Sequence, residues 1–424
     1  MSEIRPFQAL RYNQDKIKNL AKVVCPPYDV ISPSQQQSFL DSDPHNLIHI
    51  LLGKDVAGED KYIRAGNYFN TWIKEGVLVK EEKPAIYFYS QTYNLKGEKK
   101  TRYGFIALLR LEDKDSAVFK HEHTRLEPKQ DRLKLVWQVK ANLSPIFAVF
   151  SDHKRIIRSI FQKQLKDKAP DIDIVDTESI EHKVWKIDSE ELLKRVEASM
   201  KSEDIFIADG HHRYEVACTY RDEMKKKLGV LTGKEGFNYV MAYFTNTEPY
   251  GLTIMAINRL VKLPGTFDQA KFDSTINEYF YVEEIKDKTK FFFLLQKAGN
   301  AEHVVGMYKD KKFWLLRLKN VRTLDKIITD KPKVYRSLDV SILNYIILKM
   351  ALSLDIEDKQ NIEFNHNSEE LIEKCNADKS NIAFFLNPVK IEQIMSVALA
   401  GEKMPSKSTY FYPKVLSGLV INKF

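Results

Sequence analysis

Cysteine is scarce in this 424-residue chain: Cys25, Cys218 and Cys375 lie far apart, and no Cys-x-x-Cys pair occurs. That spacing argues against a disulfide framework and a zinc knuckle, and fits reduced thiols in a cytoplasmic protein. Long apolar runs are missing too. The nearest approach, "LNYIILKMALSL", is interrupted by Lys349 and is shorter than the ~18–20 residues that span a bilayer. The start, "MSEIRPFQALRYNQ", lacks a basic-then-apolar signal pattern. There is no Walker A loop, no kinase-type glycine-rich loop and no Rossmann fingerprint. Internal repeats and low-complexity tracts are absent. Excess charge is also modest: 66 Lys and Arg against 58 Asp and Glu leave +8, with basic residues spread along the chain. That balance is weak support for nucleic-acid binding and suits an anionic small substrate equally well.

Apolar bulk, in contrast, is plentiful. The hydrophobic fraction is 43%, with 24 Phe and 20 Tyr, enough for sizeable cores. The length suits roughly two or three domains of ~100–200 residues. "PAIYFYSQTYNL" and "TRYGFIALLRLE", separated by the polar "KGEKK", read as a β-hairpin. "GEDKYIRAGNYFNTWIKEGVL" reads as a helix ending near Gly76, the segment from Leu133 to Ala141 as another, and "SPIFAVFS" as a buried strand. "EDIFIADG" reads as a strand entering a turn, and "RYEVACTYRDEMKKKLG" as a helix with an apolar stripe at Ala217, Tyr220, Met224 and Leu228. "GFNYVMAYFTN", "KFFFLLQ" and "HVVGMYKDKKFWLLRLK" look strand-like, while "DVSILNYIILKMAL" and "KIEQIMSVALAG" look helical. The class is mixed α/β, divided into 1–150, 151–260 and 261–424.

The run "IADGHHRYEVA" carries the most chemistry. A strand ending in Asp-Gly and followed by a helix presents free backbone N–H groups at the helix N-terminus, where the dipole favours phosphate. Gly210 permits close approach, while His211, His212 and Arg213 can donate to phosphate oxygens. Asp209 can hold Mg²⁺ or polarise a hydroxyl. Asp-Gly alone is an ordinary turn; the full run between strand and helix favours phosphate handling.

Two further clusters stand out. "KHEHTRLEPKQDRLKLVWQVKANLSPIF" holds His121, Glu122, His123, Arg132, Asn142 and Ser144. Its histidines lack the zinc-protease spacing. Glu122 is a candidate general base, although a polar loop opening a helix is the bland alternative. "GEKMPSKSTYFYPKVLSGL" gathers Lys407, Ser408, Thr409 and Lys414, either an anion-binding loop or a plain loop into a last strand. In the rigid "CPPYDVISP", Tyr28 and Asp29 are candidate pocket residues; Asn46 and His49 in "PHNLIHI" are weaker ones.

Together, "VVCPPYDVIS", "HEHTRLEPKQDRL…NLSPIF", "IADGHHRYEVA" and "KMPSKSTYFYPKVLSGLV" resemble the family known as domain of unknown function 1015, over nearly the full chain. One departure is visible: Asn258 stands where that family usually has His, and only Arg259 is kept. The Asp-Gly-His-His-Arg run is also similar to the signature of free serine kinases on the ParB/sulfiredoxin-like fold. That resemblance implies a ParB-like core, a glutamate base, and metal and phosphate handling by Asp209, His211 and His212. Some relatives are thought to use pyrophosphate, which agrees with the missing nucleotide loops.

The expectation is phosphoryl transfer to free L-serine, from pyrophosphate first and ATP or ADP next, with Mg²⁺. Glu122 is expected to take the hydroxyl proton and Asp209 to hold Mg²⁺ or orient the nucleophile. His211, His212 and Arg213 are expected to bind the phosphoryl group, and Arg132, Lys407, Ser408, Thr409 and Lys414 to clamp the donor. Tyr28, Asp29, Asn142 and Ser144 are expected to contact the acceptor. The alternative is a ParB-like nucleotide-gated DNA-binding protein, but no helix-turn-helix or concentrated basic face is evident. Sulfiredoxin-like thiol repair wants a cysteine in the phosphate-binding turn, and this one has none.

Overall fold

The aromatic stretches near residue 90 form the expected hairpin. In the computed structural model, which describes residues 2–112, 117–229, 232–247, 251–356 and 360–424, strands Ile86–Leu95 and Glu98–Arg110 pair antiparallel with Leu95 opposite Glu98. The connection is only Lys96 and Gly97, both at positive φ (51° and 84°). Such a two-residue turn matches the twist of the strands it joins.

The described chain divides into two compact units. The first comprises Met1–Lys120, Thr124–Thr253 and Pro413–Phe424, and the second His121–His123 and Ile254–Tyr412. This replaces the expected three-part division. Residue 150 is no boundary, because strand Ile146–Phe150 lies inside the main sheet between Ile205–Asp209 and Tyr239–Asn246.

Nine strands of the first unit form one sheet among the described residues. From one edge they run Val118–Phe119, Ile205–Asp209, Ile146–Phe150, Tyr239–Asn246, Glu98–Arg110, Ile86–Leu95, Glu181–Ile187 and Ile172–Val175, with Ile4–Arg5 also paired to Glu98–Arg110. Two pairs are parallel: Ile205–Asp209 with Val118–Phe119, and Ile146–Phe150 with Tyr239–Asn246. Alternation along the strands sends Ile86, Phe88, Phe105, Ala107 and Ala148 to one core, which Val196, Met200, Tyr214 and Ala217 from two helices complete. Tyr87, Tyr89, Phe147 and Tyr243 are buried on the other face. Helices Lys61–Lys74, Leu126–Val139 and His211–Leu228 pack in succession, the middle one touching both others. The last is amphipathic as expected at Ala217 and Tyr220, but Leu228 is exposed.

The second unit holds a six-stranded sheet in the order Phe280–Ile285, Lys312–Leu318, Val304–Lys309, Asn381–Phe385, Asn258–Lys262 and Ile362–Asn365. "KFFFLLQ" departs from its strand-like reading and lies in helix Lys288–Ala298. Asp287 caps its start through the Lys290 N–H, and Phe291 and Leu295 bury one face at helical spacing. Local capping and i,i+4 burial here outweigh the β preference of a phenylalanine run. No helix among the described residues is long and apolar enough to cross a membrane.

Candidate functional site

The Asp-Gly-His-His-Arg run forms the expected strand–turn–helix. Asp209 ends strand Ile205–Asp209, Gly210 turns at φ 87°, and an 18-residue helix starts at His211. Its N-cap, Gly210, has no side chain to make a capping hydrogen bond. Gly210 is needed twice over. Its φ lies in the left-handed region, and a Cβ there would stand 2.9 Å from Arg213 Cζ. The guanidinium thus lies across the turn.

Two cations converge on Asp209. Arg213 Nη2 donates to Oδ2 at 3.0 Å and Lys414 Nζ to Oδ1 at 3.2 Å. All three side chains are largely shielded (11%, 11% and 18% exposed for Arg213, Lys414 and Asp209), so water screens the pairs weakly. Burial pushes the Asp209 pKa up, but Lys414, Arg213 and His211 outweigh it and hold the carboxyl well below its ordinary value. The expected magnesium role of Asp209 does not fit this arrangement. Both its oxygens are engaged by cations, and a dication there would meet their repulsion. Among the described residues no group of three or more His, Cys, Asp or Glu is placed to hold a metal.

Lys414 is delivered by side chains that sequence reading missed. Arg102, fully buried, donates to the Pro413 carbonyl at 2.6 Å and to the Gln91 side chain, while its guanidinium stacks on Phe147 at 4.6 Å. Gln91 in turn donates to the Lys414 carbonyl at 2.8 Å. Next to them, His182 lies between Tyr89 (2.6 Å) and Asp176 (2.9 Å), and Tyr89 also takes a hydrogen bond from the Leu416 backbone. No sequence signal singled out this pair, since Ser90, Thr92, Lys99, Lys100 and Thr101 on the same strands are polar as well.

A cavity of about 60 Å³ adjoins Arg213, with Tyr28 and Arg132 also in its wall. Burial pushes the Tyr28 hydroxyl up to about 12, so it is a neutral donor at working pH. Arg132 lies over the Tyr28 ring at 4.4 Å, but its donors are engaged by Asp131 and the Leu51 carbonyl. That corrects its expected role as a donor clamp to one of shaping the cavity. Asn142 and Ser144 also line it, with structural partners: Asn142 Oδ1 accepts from Met241 N–H (3.1 Å) and Asn422 (3.0 Å), and the Ser144 hydroxyl meets that of Ser417 at 2.6 Å. Asp29 is exposed.

His212 Nε2 accepts the Arg125 backbone N–H at 3.0 Å, so this nitrogen cannot donate to phosphate as expected. His211 is buried. Glu215, one turn on, takes Lys129 (3.1 Å), Lys120 (3.5 Å) and the Thr124 hydroxyl. Despite burial, these partners lower its pKa.

The second unit holds the remaining candidates. Thr409 donates to Glu122 Oε1 at 3.3 Å. Ser408 is buried and bonds the Pro405 carbonyl, whereas Lys407 is exposed at φ 54°. Arg259 is fully buried, donates to the Lys407 carbonyl at 3.1 Å, and has its pKa pushed down to about 9 by burial. The arginine thus supports the Lys-Ser-Thr loop. Asn258 accepts the Leu386 N–H at 3.1 Å and donates to Ser368 at 3.2 Å, a structural use of the position.

Residues 4–341 match the family described as protein of unknown function (DUF1015), and the chain belongs to it. Comparison with curated proteins finds no match. Among solved structures, similar ones include SbnI with a C-terminal truncation from Staphylococcus aureus (TM-score 0.36, 11% identity, covering 74% of this chain and 85% of that one). A free serine kinase carrying a glutamate-to-alanine substitution, in complex with ADP, gives TM-score 0.34 and 12% identity over 70% of this chain and 84% of its own. A conserved hypothetical protein from Pyrococcus furiosus gives 0.33 and 12% over 70% and 89%. These are distant likenesses.

Proposed function

We propose that the chain is a phosphotransferase that moves a phosphoryl group from pyrophosphate to the hydroxyl of a free amino acid of the serine and threonine class, giving the O-phospho amino acid and orthophosphate. The observation that carries this reading is the meeting of Arg213 and Lys414 on Asp209 at the start of the helix that follows Gly210. Two cations around one carboxylate leave one positive charge in excess, and the helix adds its dipole. Such a site receives an anion, and Asp209 keeps the cations apart and oriented until it arrives. The Asp-Gly-His-His-Arg resemblance to free serine kinases points the same way.

In the reaction, the acceptor oxygen forms a bond to one phosphorus as the bridging oxygen–phosphorus bond of pyrophosphate breaks. Orthophosphate leaves, and the acceptor proton passes to a general base. Charge grows on the non-bridging oxygens, where Arg213, Lys414 and the first-turn N–H groups act by fixed electrostatics. Magnesium is assigned no ligand among these residues and no step is routed through it; a donor's own phosphates can bring it. ATP and ADP are the other donors to compare.

Calorimetric titration with pyrophosphate tests the anion site. Wild type should bind it, and Lys414→Met should bind at least about tenfold more weakly, the loss of one charge-assisted bond. Equal affinities would remove Lys414 from the site.

A further inference from the structure

The cavity beside Arg213 carries information about the acceptor. Leu135, Val139, Ala217 and Val240 give it a largely apolar wall, and Tyr28 and Arg213 belong to its polar part. Arg213 Nε is buried with no hydrogen-bond partner among the described residues. A buried donor left in that state is costly, and the guanidinium's remaining positive charge faces the site. The volume, about 60 Å³, is under half of the ~150 Å³ of a cavity that takes up benzene. It is room for a methyl or ethyl group and too little for a whole amino acid. Water gains little from a wall of this kind, which favours carbon.

Resting on the phosphotransferase reading of the same site, we propose that this cavity is the side-chain pocket of the acceptor. It takes the short apolar branch of a small carboxylate whose head meets Arg213 and Tyr28, so threonine-like hydroxy amino acids are preferred to serine. Serine reaches the transferred phosphoryl group but leaves the cavity unfilled. One extra methyl in a fitted apolar pocket is worth about 10–200-fold in selection.

The test uses two ligands without a hydroxyl, so that binding is independent of turnover. L-Alanine and L-2-aminobutyrate are titrated into the full chain by calorimetry. The expected result is at least about tenfold tighter binding of 2-aminobutyrate, with the ratio falling to near one in Ala217→Leu, which fills the cavity. Val240→Leu serves as a second filling variant should the first not fold. Equal affinities in wild type, no binding of either ligand, or an unchanged ratio in a folded filling variant would overturn the proposal. If the ratio holds while neither serine nor threonine is phosphorylated, the pocket stands and the phosphotransferase reading falls.

Discussion

Asp209 shows how one residue's surroundings set its use. Its carboxylate is held ionised by Lys414 and Arg213 against the opposing effect of burial. A folded-state pKa below the unfolded value near 3.9 contributes stability above that value, lost as pH falls through the folded pKa. Asp209→Asn should therefore leave both cations without their counter-charge. The expected outcome is a loss in kcat on the order of 100-fold through misplacement, read in steady-state assays against matched circular dichroism. Asp152 has the opposite sign. Buried at 4% exposure, repelled by Glu203, and only partly relieved by the Ile156 and Ile157 N–H groups and Asn246, it has its pKa pushed up to about 6. Its folded state binds protons more tightly than the unfolded state, so stability is greatest below about pH 4 and falls as pH rises to about 6. Asp152→Asn, which keeps an acceptor and tolerates φ 48°, should stabilise the protein at neutral pH by on the order of 1–2 kcal/mol, measured by urea denaturation at pH 7 and pH 4. No gain at pH 7 would show that the ionised carboxylate is not disfavoured there.

At the scale of elements, the candidate site is a strand, a turn, a helix and one returning segment. The first three were legible: an apolar strand followed by Asp-Gly and an amphipathic run has few other solutions, and strand Ile205–Asp209 and helix His211–Leu228 follow it closely. The fourth was not. Nothing local in "YPKVLSG" indicates that Lys414 pairs with Asp209, because the partners lie 205 positions apart. Arg102 and Gln91 face each other across the hairpin and hold the Pro413 and Lys414 carbonyls, but Ser90, Thr92 and Thr101 beside them are polar too, so nothing in the sequence marked these two out. Asn142 and Ser144 line the cavity as well as bonding structural partners, since short polar side chains beside a buried strand can do both. Replacing Arg102 by Lys keeps the charge and loses the fork that reaches both Gln91 and Pro413. The expected outcome is a stability loss of about 2–3 kcal/mol by chemical denaturation, from broken charged hydrogen bonds, with activity falling further than the unfolded fraction explains. Wild-type stability in Arg102→Lys would show that the fork does not position the segment.

Over the whole molecule, the mixed α/β class was readable from alternating aromatic strands and amphipathic runs, but the division into units was not. Composition carries no mark at residue 254, and the return of Pro413–Phe424 to the first unit depends on pairings made across most of the chain, such as Asn422 with Asn142 and Leu10 with Ile421. Ending the chain after Tyr412 should therefore damage the first unit rather than trim a tail. It removes Lys414, the Ser417 hydroxyl that meets Ser144, and the Phe424 ring that packs on Tyr220. Limited proteolysis of that truncation should cut within 124–253 faster than in the full chain; unchanged protection there would make the segment dispensable to the fold. The central claim is that Asp209, Arg213 and Lys414 form a phosphoryl-transfer site. The most direct measurement is a timed reaction of the purified full chain with Mg²⁺, L-serine or L-threonine, and in separate vessels pyrophosphate, ATP or ADP, with phosphorylated product read by mass spectrometry. The O-phospho amino acid should form with pyrophosphate, and Asp209→Asn should form it at an initial rate on the order of 100-fold lower. Absence of product with every donor, or a wild-type initial rate in Asp209→Asn, would contradict it.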